Sequence, residues 1–208
     1  VGDLRQLHWD SLRFHRGNRS YRLLMGVCRL VLDERLLSGA DGPASLADFL
    51  DPQELSALYE RFVLAYFRRH HPHLHAGAPW VSGGIEDAPV FLPGLHTDIV
   101  LTGPERTLII DTKCYGRILG SRYDKSILSP ANRNQIYSYV MHEASDPRQA
   151  GREVAGMLLY AQTAVDPPIR ETWTETGHRF HVRTLDLDRD FTEIAVQLDD
   201  VAALLTST

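Results

Sequence analysis

The chain has little cysteine, no excess of positive charge and no long apolar run, and each shortage excludes something. Two of its 208 residues are cysteines, Cys28 and Cys114. They are too few for a disulfide framework or a multi-cysteine zinc site, and they suit a reducing cytoplasm. Lys and Arg number 22 against 27 Asp and Glu, a formal net charge of -5. That excludes a generally basic nucleic-acid coat protein but leaves room for DNA chemistry in a locally basic cleft. No apolar stretch approaches the roughly 18 to 20 residues of a membrane helix, and no signal peptide opens the chain. Internal repeats and low-complexity segments are missing too. The first residue is Val, not Met, which reads as part of a longer polypeptide. What is present is length enough for one domain with its own core.

Residues 1–18 are basic and weakly patterned, with Arg13, Arg16 and Arg19 near Trp9 and Phe14. They read as an arm or joining segment, and 19–208 as the folded domain. Tyr21, Leu24, Cys28, Val31 and Leu32 recur at helical spacing up to about Leu37, before Gly39 to Pro43 breaks the chain. Asp51-Pro52-Gln53-Glu54 is a helix start, with a cap, a proline at the first helical position and a nearby acceptor. The helix carries Leu55, Leu58, Tyr59, Phe62, Val63 and Tyr66 on one apolar stripe with Glu60 beside it, and Pro72 ends it.

Residues 76–96, rich in Gly and Pro, read as loop with short strands. Thr97 to Leu101 and Thr107 to Lys113 read as strands joined by a turn at Thr102–Arg106, the second strand β-branched and central. A polar loop is expected from Gly116 to Ser129, then a helix after Pro130 holding Gln135, Ile136, Tyr139 and Val140. Val154 to Tyr160 and Arg179 to Leu187 read as strands. Phe191 to Leu205 reads as a terminal helix with Phe191, Ile194, Leu198 and Val201 facing inward. This order predicts an α/β layered domain.

The segment that carries chemistry is Asp98 with Asp111-Thr112-Lys113. Strand side chains alternate faces, so Asp111 and Lys113 point the same way. A hairpin between 101 and 107 returns Asp98 beside Asp111, and one of the two possible register parities puts all three groups on one face. Two carboxylates held a few ångströms apart repel each other, and burial is costly for each. A divalent cation resolves that conflict. Mg²⁺ takes hard oxygen ligands, often one or two carboxylates with water and substrate phosphate, and the Thr112 carbonyl could add a further oxygen. Lys113 would position a water or stabilise charge on phosphate oxygens. The bland alternative is a solvated ion pair at a strand end. Against it stands the apolar run Leu108-Ile109-Ile110 that leads into the pair.

Glu60 on a helix, Asp98, Asp111-Thr112-Lys113 and Gln135-x-x-x-Tyr139 on the next helix together resemble the PD-(D/E)XK nuclease superfamily, the last element as in its RecB-like branch. More narrowly, the chain resembles the carboxy-terminal part of McrC, the nuclease subunit of McrBC modification-dependent restriction systems. The stretches that carry this are Tyr59–Val63, Leu95–Leu101, Leu108–Tyr115, Asn132–Tyr139 and Gly156–Tyr160. The resemblance implies a restriction-endonuclease-like core, a mixed central β-sheet flanked by helices, over 19–208. It implies a Mg²⁺-dependent DNA endonuclease with Asp98 and Asp111 binding the metal and Glu60 joining the metal shell or orienting a ligand water, beside the Thr112 carbonyl already considered. Lys113 would act on the water, Gln135 would orient Lys113 or the phosphate, and Tyr139 would support that helix. The implied partners are DNA, modified in keeping with the family, and an McrB-like AAA+ GTPase. GTP would belong to that partner, since this chain has no phosphate-binding G-x-x-x-x-G-K-[ST] loop. Thr97 stands where the superfamily name has Pro, and the family's amino-terminal GTPase-engaging region has little room here. The alternatives are an inactive nuclease-fold DNA-binding or assembly subunit, and an adaptor stimulating a partner NTPase.

Three further features were weighed. Arg117, Arg122, Lys125 and Arg133, with Tyr123, would contact a phosphate backbone beside the site, or else make an ordinary polar loop. His71, His73 and His75 would share a face if extended, as metal ligands do, or form a solvated helix end. His96, two residues before Asp98, would support the site or simply pack. Cys28, Cys114 and the aromatic stripe of residues 59–67 read as core.

Overall fold

The structure, a computed structural model, describes residues 52–81, 91, 94–114, 119–122, 125–163 and 166–206. The arm of residues 1–18, the helix expected over 21–37, Cys28, Arg117 and Tyr123 lie outside the described residues. The chain divides into units Val1–Leu55 and Ser56–Thr208, and the second holds the elements below apart from the first four residues of the first helix.

Helix α1, Pro52–His70, starts and ends where its proline signals place it, with Glu54 in the first turn and Arg68, Arg69 and His70 in the last. Two short strands, β1 (Trp80–Val81) and β2 (Leu95–His96), pair antiparallel. The central sheet has five strands: β3 (Ile99–Thr102), β4 (Arg106–Lys113), β7 (Glu153–Ala161), β8 (Arg170–Glu175) and β9 (His178–Leu185), in the order β3-β4-β7-β9-β8. The β3–β4 and β8–β9 pairs are antiparallel, while β4–β7 and β7–β9 are parallel. Parallel neighbours need a crossover, and helix α2 (Pro130–Ala144) supplies it between β4 and β7. Ser129 caps α2 and Pro130 opens it, as the sequence predicts. Helix α3, Phe191–Ala202, runs into a 3-10 turn over Ala203–Leu205. The α/β fold with a mixed sheet flanked by helices is the expected one, consistent with a restriction-endonuclease-like core.

Each face of the sheet has its own core. Ile99, Leu101, Leu108, Ile110, Met157 and Leu159 pack with Tyr59, Val63 and Phe67 of α1 and with Leu198 and Val201 of α3. Val100, Ile109, Leu158, Tyr160, Phe180 and Val182 pack with Ile136, Tyr139 and Val140 of α2. The alternation is the period-2 pattern of strands buried on both sides. Gly156 in β7 allows α2 its close approach. A Cβ there would lie 2.8 Å from both Ile136 Cγ1 and Val140 Cγ2, and 3.0 Å from Phe180 Cδ1.

Four expectations need correction. The stretch expected as a polar loop after Gly116 contains a hairpin, β5 (Leu119–Arg122) paired with β6 (Lys125–Leu128). Strand β8 was not foreseen. It is an edge strand with mostly exposed positions, so it lacks the alternation that marks a half-buried strand. Phe191 does not face inward. It is 56% exposed at the start of α3, touching only the rims of Tyr66 and His70, whereas Ile194, Leu198 and Val201 are buried. The histidines after α1 are not extended, because Pro72–Leu74 forms a 3-10 turn and His75 is left-handed. His71 Nε2 meets Asp199 Oδ1 at 2.7 Å. Among the described residues no group of three or more His, Cys, Asp or Glu side chains could by itself hold a metal ion.

His181 on β9 gives the fold an acid limit. Its imidazole is buried, with Thr172 Oγ1 2.9 Å from Nδ1. Burial, reinforced by Arg183 and Arg179, pushes its pKa down to about 4 from 6.5. As pH falls, the unfolded chain takes up this proton first. The stability from the neutral ring is therefore complete above pH 6.5 and lost as pH falls through about 4. After discounting for solvent screening this amounts to about 1–2 kcal/mol. His181→Gln is expected to flatten that limb in urea unfolding measured across this range. An unchanged limb would assign the acid sensitivity to another group.

Candidate active site

The site forms where β3 and β4 leave the shared core. Ile99 pairs with Ile110 and Val100 with Ile109, so the residue ahead of β3, Asp98, falls opposite Asp111. The register thus takes the parity that brings the carboxylates together. Asp98 Oδ2 accepts from the Thr112 backbone N–H at 2.7 Å and from Thr112 Oγ1 at 2.8 Å. Thr112 therefore has a role that reading it as a carbonyl ligand missed: its amide and hydroxyl fix Asp98 beside β4. Thr97, in the position of the superfamily's Pro, is fully buried and donates from its backbone N and from Oγ1 to the Pro79 carbonyl, at 3.2 and 2.9 Å. These bonds anchor the backbone next to Asp98.

Asp111 is fully buried at the end of an apolar strand. Lys113 Nζ lies 2.6 Å from Asp111 Oδ2, an ion pair between side chains that are both shielded from solvent. The same Nζ donates to Gln135 Oε1 at 3.1 Å, and Gln135 Nε2 donates to the Tyr139 hydroxyl oxygen at 2.9 Å. Gln135 and Tyr139 stand one turn apart on α2, so the helix presents both along one stripe. Ile136, Tyr139 and Val140 seat that stripe in the core. Asp111, Lys113, Gln135 and Tyr139 are thereby one connected constellation, and Asp98, held by Thr112, lies within electrostatic reach of it.

The electrostatics show how far the carboxylates crowd. Burial raises the Asp111 pKa to about 6; Lys113 pulls it down, and Asp98 and Glu60 push it up further. Glu60 on α1 is raised too, first by partial burial and then by Asp98, with His96 and Arg61 opposing. Glu60 and His96 thus both lie within electrostatic reach of the site. The His96 ring packs edge-on against Trp80 with centroids 4.9 Å apart. Asp111 Oδ1 is buried with no hydrogen-bond donor among the described residues, a costly state for a carboxylate oxygen unless another positive partner arrives. One such oxygen beside a second carboxylate and a third acid in range fits a hard cation that keeps several waters better than an all-protein cage.

Of the DNA-contact candidates, Arg122 and Lys125 are backbone partners across the β5–β6 hairpin. Arg133, near the start of α2, is tied to Glu175 by an ion pair. Cys114 is half-buried against the α1-side core, and burial raises its thiol pKa. A cleft between β9 and α3 is lined by Arg170, Arg183, Asp186, Arg189, Gln197 and Asp200. Its ion pairs Arg170–Asp200 and Arg189–Asp186 balance much of its charge, and it holds none of the groups just described.

No protein-family model matches the chain. Over 199 residues the chain is 24% identical to the type IV methyl-directed restriction enzyme EcoKMcrBC of Escherichia coli strain K12, an overlap of 93% of this chain and 56% of that protein. The chain therefore spans little more than half the length of the curated relative it matches. Among the described residues no helix is long and apolar enough to cross a membrane. The McrC-like kinship read from the motifs is borne out: along nearly its whole length, this chain is a relative of that restriction enzyme.

Proposed function

We propose that the chain is the DNA-cleaving part of a modification-dependent restriction system, an endonuclease domain that hydrolyses phosphodiester bonds with Mg²⁺. On this reading an McrB-like AAA+ GTPase recruits it to modified DNA and controls it. The observation that carries the reading is the convergence on Lys113, with its ammonium 2.6 Å from Asp111 Oδ2 and 3.1 Å from Gln135 Oε1. A structural ion pair at a strand end has no need of a glutamine from another element, itself held by a tyrosine.

Asp98 and Asp111 would hold the metal, with Glu60 orienting a ligand water. When bound, Mg²⁺ would polarise the phosphate and make a water more acidic. The rest is done by the chain. Asp111 and Gln135 fix the Lys113 ammonium at one point. From there it can orient the attacking water and stabilise negative charge growing on the phosphorus oxygens. Thr112 holds Asp98 so that the two carboxylates stay in register. Water adds to phosphorus, the bond from phosphorus to the leaving sugar oxygen breaks, and that oxygen takes up a proton.

The test is cleavage of methylated DNA with Mg²⁺, with and without an McrB-like partner, by wild type and Lys113→Ala. Wild type is expected to cut, and the substitution to slow cutting by on the order of 10²–10³-fold. Binding without cutting by wild type would instead favour an inactive DNA-binding subunit. Partner NTPase stimulation without DNA binding would favour an adaptor.

A further inference from the structure

Trp80 is 64% exposed, an unusual position for the largest apolar side chain unless it meets something. It is not loosely placed. Trp80 pairs with His96 across β1–β2, and the two rings meet edge-on at 4.9 Å. Gly94 lies directly against the indole: a Cβ there would come within 2.8 Å of Cε3 and 3.0 Å of Cζ3. Any larger residue at 94 would push the ring away. The backbone ties the segment that carries this indole to the stretch that leads into Asp98. Pro79, its neighbour, accepts both bonds from Thr97, the neighbour of Asp98. A second tie, Gly77 with Val100, runs the same segment along the β3 edge. Strand β1 also touches α2, the helix that carries Gln135.

We propose that Trp80, braced by Gly94 and His96, is a stacking platform for one base of the strand whose phosphate enters the Asp98–Asp111–Lys113 pocket. The proposal rests on the nuclease reading of that pocket. Every base offers a π-face, so an indole holds a nucleotide without reading its identity. Holding one base out of its stack beside the scissile phosphate would fix the register of the strand. Trp80 is thus assigned as a positioning residue and the carboxylates and Lys113 as the reacting machinery.

The experiment measures binding by the full chain, in EDTA, of a labelled homothymidine 12-mer and of a base-free deoxyribose-phosphate strand of the same length. Trp80→Ala is expected to weaken binding of the 12-mer roughly tenfold, Trp80→Phe to restore most of it, and the base-free strand to bind all forms alike. Equal binding of the 12-mer by wild type and Trp80→Ala overturns the proposal. So does an equal loss on both strands, which would mark a backbone contact or a folding defect, and so does failure of wild type to bind the 12-mer. Cleavage by Lys113→Ala is scored separately. If that variant cuts like wild type the nuclease reading fails whatever Trp80 does, and if only the base-dependent difference is missing the platform alone fails.

Discussion

Asp111→Asn is expected to give a protein that is more stable than wild type above pH 6 and unable to cut DNA. The carboxyl is fully buried, and burial outweighs the pull of Lys113, so its pKa rises to about 6 from an ordinary 3.8. The sign follows from proton counting. Between those values the folded state keeps a proton that the unfolded chain has released. The Asp111 contribution to stability is therefore greatest below pH 4, falls as pH rises towards 6, and stays low beyond, opposite in sign to that of His181. The loss is about 3 kcal/mol at most. Asparagine stands in for the protonated acid: it has the same shape and no charge to desolvate. Denaturant unfolding at pH 8 should show the variant gaining roughly 1–3 kcal/mol, with the Asp111 fall between pH 4 and 6 gone and the opposing His181 rise left. The range allows for Lys113, which loses its ion-pair partner but keeps Gln135. Added Mg²⁺ should raise the midpoint of wild type at pH 8 and leave Asp111→Asn unmoved, because only the ionised carboxylate gives the cation a reason to bind. A variant less stable than wild type at pH 8 would mean that the ion pair outweighs desolvation, and would remove the strained carboxylate from the case for a metal.

The contrast between what the sequence disclosed and what it withheld has a physical basis. Strand β4 was legible because Leu108-Ile109-Ile110 is apolar on both faces, with two β-branched isoleucines, as suits a central strand. Helix α2 was legible from Ser129-Pro130, a cap followed by the residue that fits the first turn. Those two elements carry Asp111, Lys113, Gln135 and Tyr139, so most of the site came with them. The register of Asp98 was open, since period 2 allows either parity, and only the pairing of Ile99 with Ile110 decides it. Strand β8 left no pattern because it buries little, and neither Arg170-Glu171-Thr172 nor Gly120-Ser121-Arg122 of the β5–β6 hairpin carries alternating apolar residues. Phe191 misled for the opposite reason. It continues the stripe of Ile194, Leu198 and Val201, but the stripe outruns the sheet it covers. Trp80 and Gly156 stayed silent because their importance lies in contacts between residues distant in sequence, which no local spacing announces.

Gly156→Ala is expected to damage the site from a distance. A glycine inside a strand costs conformational entropy, so on an open surface alanine would gain roughly 0.5–1 kcal/mol. Here the added Cβ would sit 2.8 Å from two α2 side chains, Ile136 and Val140, and 3.0 Å from Phe180. Ile and Val are branched at Cβ and have little rotamer freedom inside a helix, so they cannot swing aside. The helix must move outward instead. Overpacking of this kind costs about 1–3 kcal/mol, which outweighs the entropy gain, and Gly156→Val should lie at the upper end or beyond. Ile136 is the neighbour of Gln135, so the displacement falls on the 3.1 Å bond that holds Lys113 and on the 2.9 Å bond to Tyr139. Cleavage at a temperature where the variant is still folded should therefore fall by more than its unfolding free energy explains, and Lys113→Ala combined with Gly156→Ala should cut no more slowly than Lys113→Ala alone. Additive losses in that pair would show that α2 reaches the chemistry by some route other than Gln135. Loss of stability with full activity would reduce Gln135 to a helix-packing residue.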